Sequence, residues 1–211
     1  MKNNMPGVLA DVAAYYSAKL SEHGETPQGV DWNGEESQTL RFEQLSKIIN
    51  TSRPFSVNDL GCGYGAFYDF LNHRYQSFSY LGIDISEDMI RAAKQRYQDR
   101  SGVRFVVSNE PDQVADYGVA SGIFNVRIGR SDDEWRSHLE ATLDVLDRTS
   151  RCGFAFNCLT SYSDAGKMQD YLYYVNPCVL FDLCKCRHSR NVALLHDYDL
   201  YEFTILVRKH S

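Results

Sequence analysis

Several things are missing from this sequence of 211 residues, and each absence removes a class of protein. No apolar run approaches the roughly 20 residues needed to cross a bilayer, so a membrane-spanning role is not expected. The N-terminal stretch Met1-Lys2-Asn3-Asn4-Met5 has none of the apolar core of a secretory leader, which points to a cytoplasmic location. Basic residues are in deficit: 22 Lys plus Arg stand against 28 Asp plus Glu, a formal charge of -6 that would repel a phosphate backbone, so nucleic acid is not the expected partner. Internal repeats and low-complexity tracts are also absent. The six cysteines lack the paired C-x-x-C spacing of structural zinc sites, although Cys178, Cys184, Cys186 and His188 bring suitable donor types close in sequence. Without a leader they read as free thiols, and no metal site is assigned.

What remains is an ordinary globular composition, 43% hydrophobic and 24% charged, in a chain long enough for one core. One domain is expected over 1–211, with a helical cap at 1–52 and an α/β core at 53–211. In the cap, Val8 to Leu20 and Glu36 to Ile49 read as helices, the second placing Leu40, Leu45, Ile48 and Ile49 near one face. The stretch from His23 to Asn33 is rich in Gly, Pro and polar residues and reads as a loop.

From residue 55 the rhythm changes to short apolar runs alternating with helical stretches. Strands are expected at Phe55 to Leu60, Tyr80 to Asp84, Val103 to Val107, Tyr117 to Phe124 and Arg151 to Cys158. Two more, Asn191 to Asp197 and Leu200 to Arg208, would form an antiparallel hairpin on a very short turn. Ser86 before Glu87-Asp88 should cap one helix. Ser131-Asp132-Asp133-Glu134 is a capping box ahead of an apolar face of Trp135, Leu139, Leu143 and Leu146. The sum is a doubly wound, seven-stranded, mostly parallel sheet with an antiparallel C-terminal hairpin.

The chemistry concentrates in Val57-Asn58-Asp59-Leu60-Gly61-Cys62-Gly63-Tyr64-Gly65-Ala66, a strand that enters glycines and then a helix. Glycines let backbone turn sharply and approach a ligand closely. Gly61, Gly63 and Ala66 also satisfy the dinucleotide pattern G-x-G-x-x-G/A, so the glycines alone leave NAD open. Asp59 separates the two readings, because its carboxylate would repel a pyrophosphate and attract a sulfonium or an amino group. Asp84, in Leu81-Gly82-Ile83-Asp84-Ile85-Ser86, ends the second strand about 20 residues on, where an acid can hold ribose hydroxyls.

These two stretches, D-L-G-C-G-Y-G and G-I-D-I-S, resemble the first two motifs of class I S-adenosylmethionine (SAM)-dependent methyltransferases, a Rossmann-like family. The resemblance implies SAM as cofactor, with Asp59, Gly61, Cys62 and Gly63 at the methionine part, Asp84 on the ribose and Ile85 against the adenine. Among Ser108-Asn109-Glu110 it leaves open which residue faces the adenine amino group, Asn109 being the one carried forward. Ser121, in the fourth strand's Val119-Ala120-Ser121-Gly122-Ile123-Phe124-Asn125-Val126, would pass near the sulfonium. This stretch departs from the N-P-P-Y signature of many nucleic-acid amino methyltransferases, and the general likeness is to small-molecule enzymes of sugar, polysaccharide and natural-product pathways.

The acceptor pocket should lie at the carboxyl ends of the central strands, near Ser121 to Arg127, Asn157 to Asp164 and His196-Asp197-Tyr198. His196 is the candidate general base for an oxygen or nitrogen acceptor, against the alternative of a hydrogen-bonded histidine finishing a strand. Arg41 could pair with the SAM carboxylate, with Gln38 beside it. Tyr15, Tyr16, Tyr171, Tyr173 and Tyr174 could wall the pocket. The basic run Lys185, Arg187, His188 and Arg190 reads either as a solvated face or as an anion contact. Two rival functions stand beside the methyltransferase: a catalytically inactive SAM-binding protein and an NAD-dependent oxidoreductase.

Overall fold

The structure, a computed structural model, describes residues 5–50 and 52–209. The Met1-Lys2-Asn3-Asn4 stretch inspected for a leader lies outside the described residues. Among the described residues no helix is long and apolar enough to cross a membrane.

Two helices open the chain, α1 (Met5–His23) and α2 (Glu35–Ser46), with a 3-10 turn at Pro27–Val30 between them. The sheet follows: β1 (Phe55–Leu60), α3 (Ala66–Arg74), β2 (Phe78–Asp84), α4 (Glu87–Arg96), β3 (Val103–Val107), β4 (Ala115–Ala120), α5 (Asp132–Arg148) and β5 (Ser150–Thr160). A two-residue strand β6 (Tyr174–Val175), helix α6 (Pro177–Arg187) and strands β7 (Asn191–Leu195) and β8 (Glu202–Arg208) complete it. The strand order is β3-β2-β1-β4-β5-β8-β7, with β8 antiparallel to both neighbours and the rest of that path parallel; β6 pairs with β5 in parallel. The architecture is the expected doubly wound, mostly parallel sheet, with β6 as an additional strand.

Both faces of the sheet are covered, and the strands read accordingly. On β5, Phe154 and Phe156 enter one core, with Trp135, Leu139, Leu143 and Leu146 of α5, while Ala155 between them enters the other. That second core holds Phe42 and Leu45 of α2 with Phe67, Leu71 and Tyr80. The period-2 alternation thus divides each strand between two apolar layers, as parallel sheets require. The expected α5 face is wholly buried, and its capping box is formed: Ser131 Oγ accepts from Glu134 N at 3.3 Å and Glu134 Oε2 accepts from Ser131 N at 3.1 Å. Ser86 caps α4 by accepting from Met89 N at 3.2 Å.

Several boundaries differ from the sequence reading, three of them with a visible cause or consequence. The fourth strand ends at Ala120 rather than Phe124, because Gly122 takes φ +75° and turns the chain over Trp32. Helix α2 ends at Ser46, and Ile48 and Ile49 are buried beyond it. The terminal hairpin has no very short turn: six residues separate Leu195 from Glu202, and within them Tyr198 is buried with its hydroxyl 3.0 Å from Thr204 Oγ1.

Candidate functional site

Strand β1 lies between β2 and β4, whose connections leave in opposite directions; the carboxyl end of β1 is therefore the switch point where an open α/β sheet takes its ligand. The glycine loop sits there. Gly61 N and Cys62 N both donate to Ile83 O, at 2.7 and 3.0 Å, which ties the loop to β2. Gly61, Gly63 and Gly65 all have positive φ, at 76°, 55° and 89°. A Cβ on Gly61 would come within 2.0 Å of Ile123 Cγ2, so the loop and the segment after β4 touch across the site.

Asp84, at the end of β2, faces the loop from the other side. Its Oδ2 accepts from Gly63 N and its Oδ1 from Ser86 N, each at 2.9 Å. Each oxygen keeps a further lone pair, enough to take ribose hydroxyls. Burial raises its pKa, opposed by these backbone N–H groups and that of Ile85. Asp59 is only 2% exposed; the Tyr80 hydroxyl donates to its Oδ2, and its Oδ1 is buried with no hydrogen-bond partner. Burial pushes its pKa up to about 7, with Tyr80 opposing and the nearby Asp84 adding. The fixed negative charge expected at Asp59 is thereby corrected: with burial raising its pKa to about 7, this carboxyl lies between its two forms near neutrality. Cys62 is a buried thiol whose pKa burial also pushes up, so it packs under the loop as a neutral group.

A cavity of about 770 Å³ opens from this loop. Its lining includes Ile85, Ser108, Asn109 and Glu110 with His138, Thr142 and Arg148 of α5, and also Lys167, Tyr171, Tyr174 and Tyr201. Ser108 Oγ closes a local turn by donating to Glu110 O and accepting from Glu110 N, and the Glu110 carboxylate pairs with Arg148. Of the three residues after β3, Asn109 is the one whose side chain stays uncommitted to either arrangement. Ser121 also lines the cavity, its Oγ buried without a partner. His138 carries no site signal in the sequence, since it falls in a helix marked by its apolar face; it lines the cavity, its Nδ1 is unpartnered, and burial lowers its pKa.

The cap supplies one wall through Tyr16, Trp32, Gln38 and Arg41. Arg41 reaches the cavity with most of its guanidinium already engaged. Its guanidinium donates through Nε and Nη2 to the two carboxylate oxygens of Glu202, both at 2.9 Å, and lies 3.8 Å from the Trp32 ring centroid; only Nη1 is left, buried and unpartnered. Trp32 falls in the expected loop and Glu202 in an expected strand, and neither belongs to a motif of the sequence. The signals were faint: a lone aromatic in a polar loop, and an acid opening an apolar strand.

Other candidates fall elsewhere. His196 is exposed, does not line the cavity, and has its ring about 6.0 Å from those of Tyr162 and Phe203. Tyr173 is buried in the core rather than lining the cavity, and Tyr15 donates to Asp31 at 2.7 Å. In the basic run Lys185, Arg187 and Arg190 are exposed, Arg187 pairs with Asp144 and Glu140 of α5, and Lys185 donates to the Arg190 carbonyl. Cys184 is buried while Cys178 and Cys186 are exposed, so helix α6 does not turn the three to a common point.

The strand order and the glycine loop at its switch point define a Rossmann-like protein organised around a nucleoside-bearing ligand. A profile described as "Methyltransferase domain" matches residues 57–148. The methyltransferase-type protein Rv1506c of Mycobacterium tuberculosis is 61% identical over 165 residues, covering 78% of this chain and 99% of that one. A trans-aconitate 2-methyltransferase of Rhodopseudomonas palustris is 34% identical over 87 residues, 37% of this chain and 32% of that enzyme, so this chain spans about a third of it. Two solved structures share the fold at low identity: DhpI with S-adenosylhomocysteine (SAH; TM-score 0.68, 16% identity, 97% of this chain and 98% of that one) and the N-methyltransferase NodS of Bradyrhizobium japonicum with SAH (0.66, 14%, 94% and 98%). The chain belongs to the class I SAM-dependent methyltransferase family.

Proposed function

We propose that this single-domain protein transfers a methyl group from SAM to an oxygen or nitrogen of a small-molecule acceptor in the cytoplasm. The observation that carries the reading is a cavity whose lining residues, besides His138, include three that each keep a buried, unpartnered polar atom: Asp59 Oδ1, Ser121 Oγ and Arg41 Nη1. Buried polar atoms without partners are costly in a folded chain and call for a ligand that satisfies them. SAM fits that set: Asp59 suits its amino group, Arg41 Nη1 its carboxylate, and Asp84 its ribose. Gly61 and Gly63 leave room for its methionine part, with Cys62 packed beneath. Ile85 and Asn109 flank the adenine end.

When bound, SAM supplies a methyl group on a positively charged sulfur. The chain's part is to align the acceptor atom with that methyl and to exclude water, which is where an effective-concentration advantage arises. His196 is not carried into this reading, since its exposed ring does not reach the cavity lining. The tyrosines in the lining, Tyr171, Tyr174 and Tyr201, favour a hydroxylated acceptor of the sugar, polysaccharide or natural-product kind, because aromatic faces cover C–H surfaces while their hydroxyls hydrogen-bond. The trans-aconitate relative also bears the name of a small acceptor. The net charge of -6 argues against nucleic acid.

Calorimetric titration of SAH into the wild type and Asp84→Ala, with NAD in parallel, tests the cofactor. Binding of SAH that weakens at least tenfold in the variant is expected; binding of NAD without SAH would overturn the proposal. Turnover of SAM with a pool of hydroxylated acceptors then separates an enzyme from an inactive binder.

A further inference from the structure

Glu202 belongs to no motif of the sequence, yet it is 2% exposed and lines the cavity at the start of β8. A buried carboxylate needs partners for its oxygens, and here they are fully supplied. Arg41 Nε and Nη2 bond both oxygens at 2.9 Å, Asn157 Nδ2 donates to Oε2 at 2.7 Å, and Asn125 Nδ2 lies 3.5 Å from Oε1. The two asparagines anchor in turn on backbone. Asn157 Oδ1 accepts from Gly122 N at 2.8 Å and Asn125 Oδ1 from Leu159 N at 3.3 Å, so the carboxylate is held by the ends of β4 and β5.

A carboxylate so occupied has no lone pair to spare as a base. Its effect passes through Arg41. A guanidinium is a planar fork, and engaging one edge fixes the direction of the other N–H groups. Trp32 stacks against its face at 3.8 Å, which removes rotation about the remaining axis. The outcome is a single amine, Nη1, unpartnered in a side chain that is 9% exposed.

We infer that Glu202 is a positioning residue that aims Arg41 Nη1 at a carboxylate, making the Arg41–Glu202 pair the feature that distinguishes an amino-acid-bearing adenosyl ligand from one that lacks the amino acid. The inference rests on the SAM reading given above and adds to it the element that sets the arginine. With the Arg41 charge already balanced by Glu202, recognition comes from direction rather than from excess positive charge. A variant that keeps the side-chain volume but loses the bidentate pairing should therefore lose selectivity.

The test compares two ligands in calorimetry: SAH, which carries the amino acid, and 5′-methylthioadenosine, which does not. The wild type is expected to prefer SAH by at least tenfold. Glu202→Gln should reduce SAH affinity about tenfold while leaving methylthioadenosine affinity within twofold, a pattern that general loosening of the fold would not give. Arg41→Met should give the same pattern from the other partner, and it carries the test if Glu202→Gln does not fold. If the variants keep the SAH preference, or lose both ligands equally while the wild type binds SAH selectively, the inference is wrong and the cofactor reading survives. If the wild type binds neither ligand, both fall.

Discussion

Tyr80 on β2 donates its hydroxyl hydrogen bond to Asp59 on β1, across the first pair of strands, and leaves Asp59 Oδ1 as the bare atom at the head of the glycine loop. The bond opposes the burial that raises the Asp59 pKa to about 7. Ligand binding through a cation at Oδ1 must therefore ionise this carboxyl. Between pH 6 and pH 8 the ionised fraction grows about tenfold for a pKa near 7, and SAH affinity should rise by about that factor. Calorimetry across this range should show the rise in the wild type and its loss in Asp59→Asn, which should also bind SAH more weakly at pH 8.

The same group sets a stability trend in the ligand-free protein. Its folded pKa lies above the unfolded value of 3.8, so its contribution is fully present below about pH 4 and is lost as pH rises through about 7. Asp59→Asn should accordingly raise the melting temperature at pH 8 and leave it nearly unchanged at pH 4. Thermal denaturation at the two values checks the sign.

Gly61→Ala places a methyl 2.0 Å from Ile123 Cγ2 at a φ of +76°. A left-handed alanine alone costs about 1–2 kcal/mol, and the clash adds to it. Chemical denaturation should show the loss, with SAH binding abolished. The added substitution Ile123→Ala should recover the steric part only.

His196→Ala is expected to leave SAH affinity and methyl-transfer rate within about twofold of wild type, since the exposed ring does not line the cavity. A rate drop of a hundredfold or more would return His196 to the mechanism.

Ser131→Ala removes the hydroxyl half of the α5 capping box and should cost about 1 kcal/mol in denaturant unfolding without changing ligand affinity. It serves as the control for substitutions that weaken the fold alone.

The parts of this molecule that were legible in its sequence are those encoded by neighbours in the chain. The strand-glycine-helix run at 55–74, the Ser86 cap and the α5 capping box all depend on residues within a few positions of each other, and each appears where expected. Asp84 was legible because strand and helix lengths fix its distance from the glycines. Arg41 and Glu202 are 161 positions apart, and nothing local to either residue announces the other. Strand β6 was invisible for a different reason: two residues carry no period. His196 stayed open between a base and a strand-ending histidine because both carry the same local pattern, whichever way the ring turns.

Strand β8 follows every other strand in the chain, and its first residue, Glu202, completes the wall that Arg41 begins near the opposite end. During synthesis the glycine loop, Asp84 and the helices around them can be in place while the cavity still lacks one side. A chain whose β8 has not yet docked against β5 should therefore hold no cofactor, and the methyl-transfer site comes into being when that pairing closes rather than with the motif that gives it away.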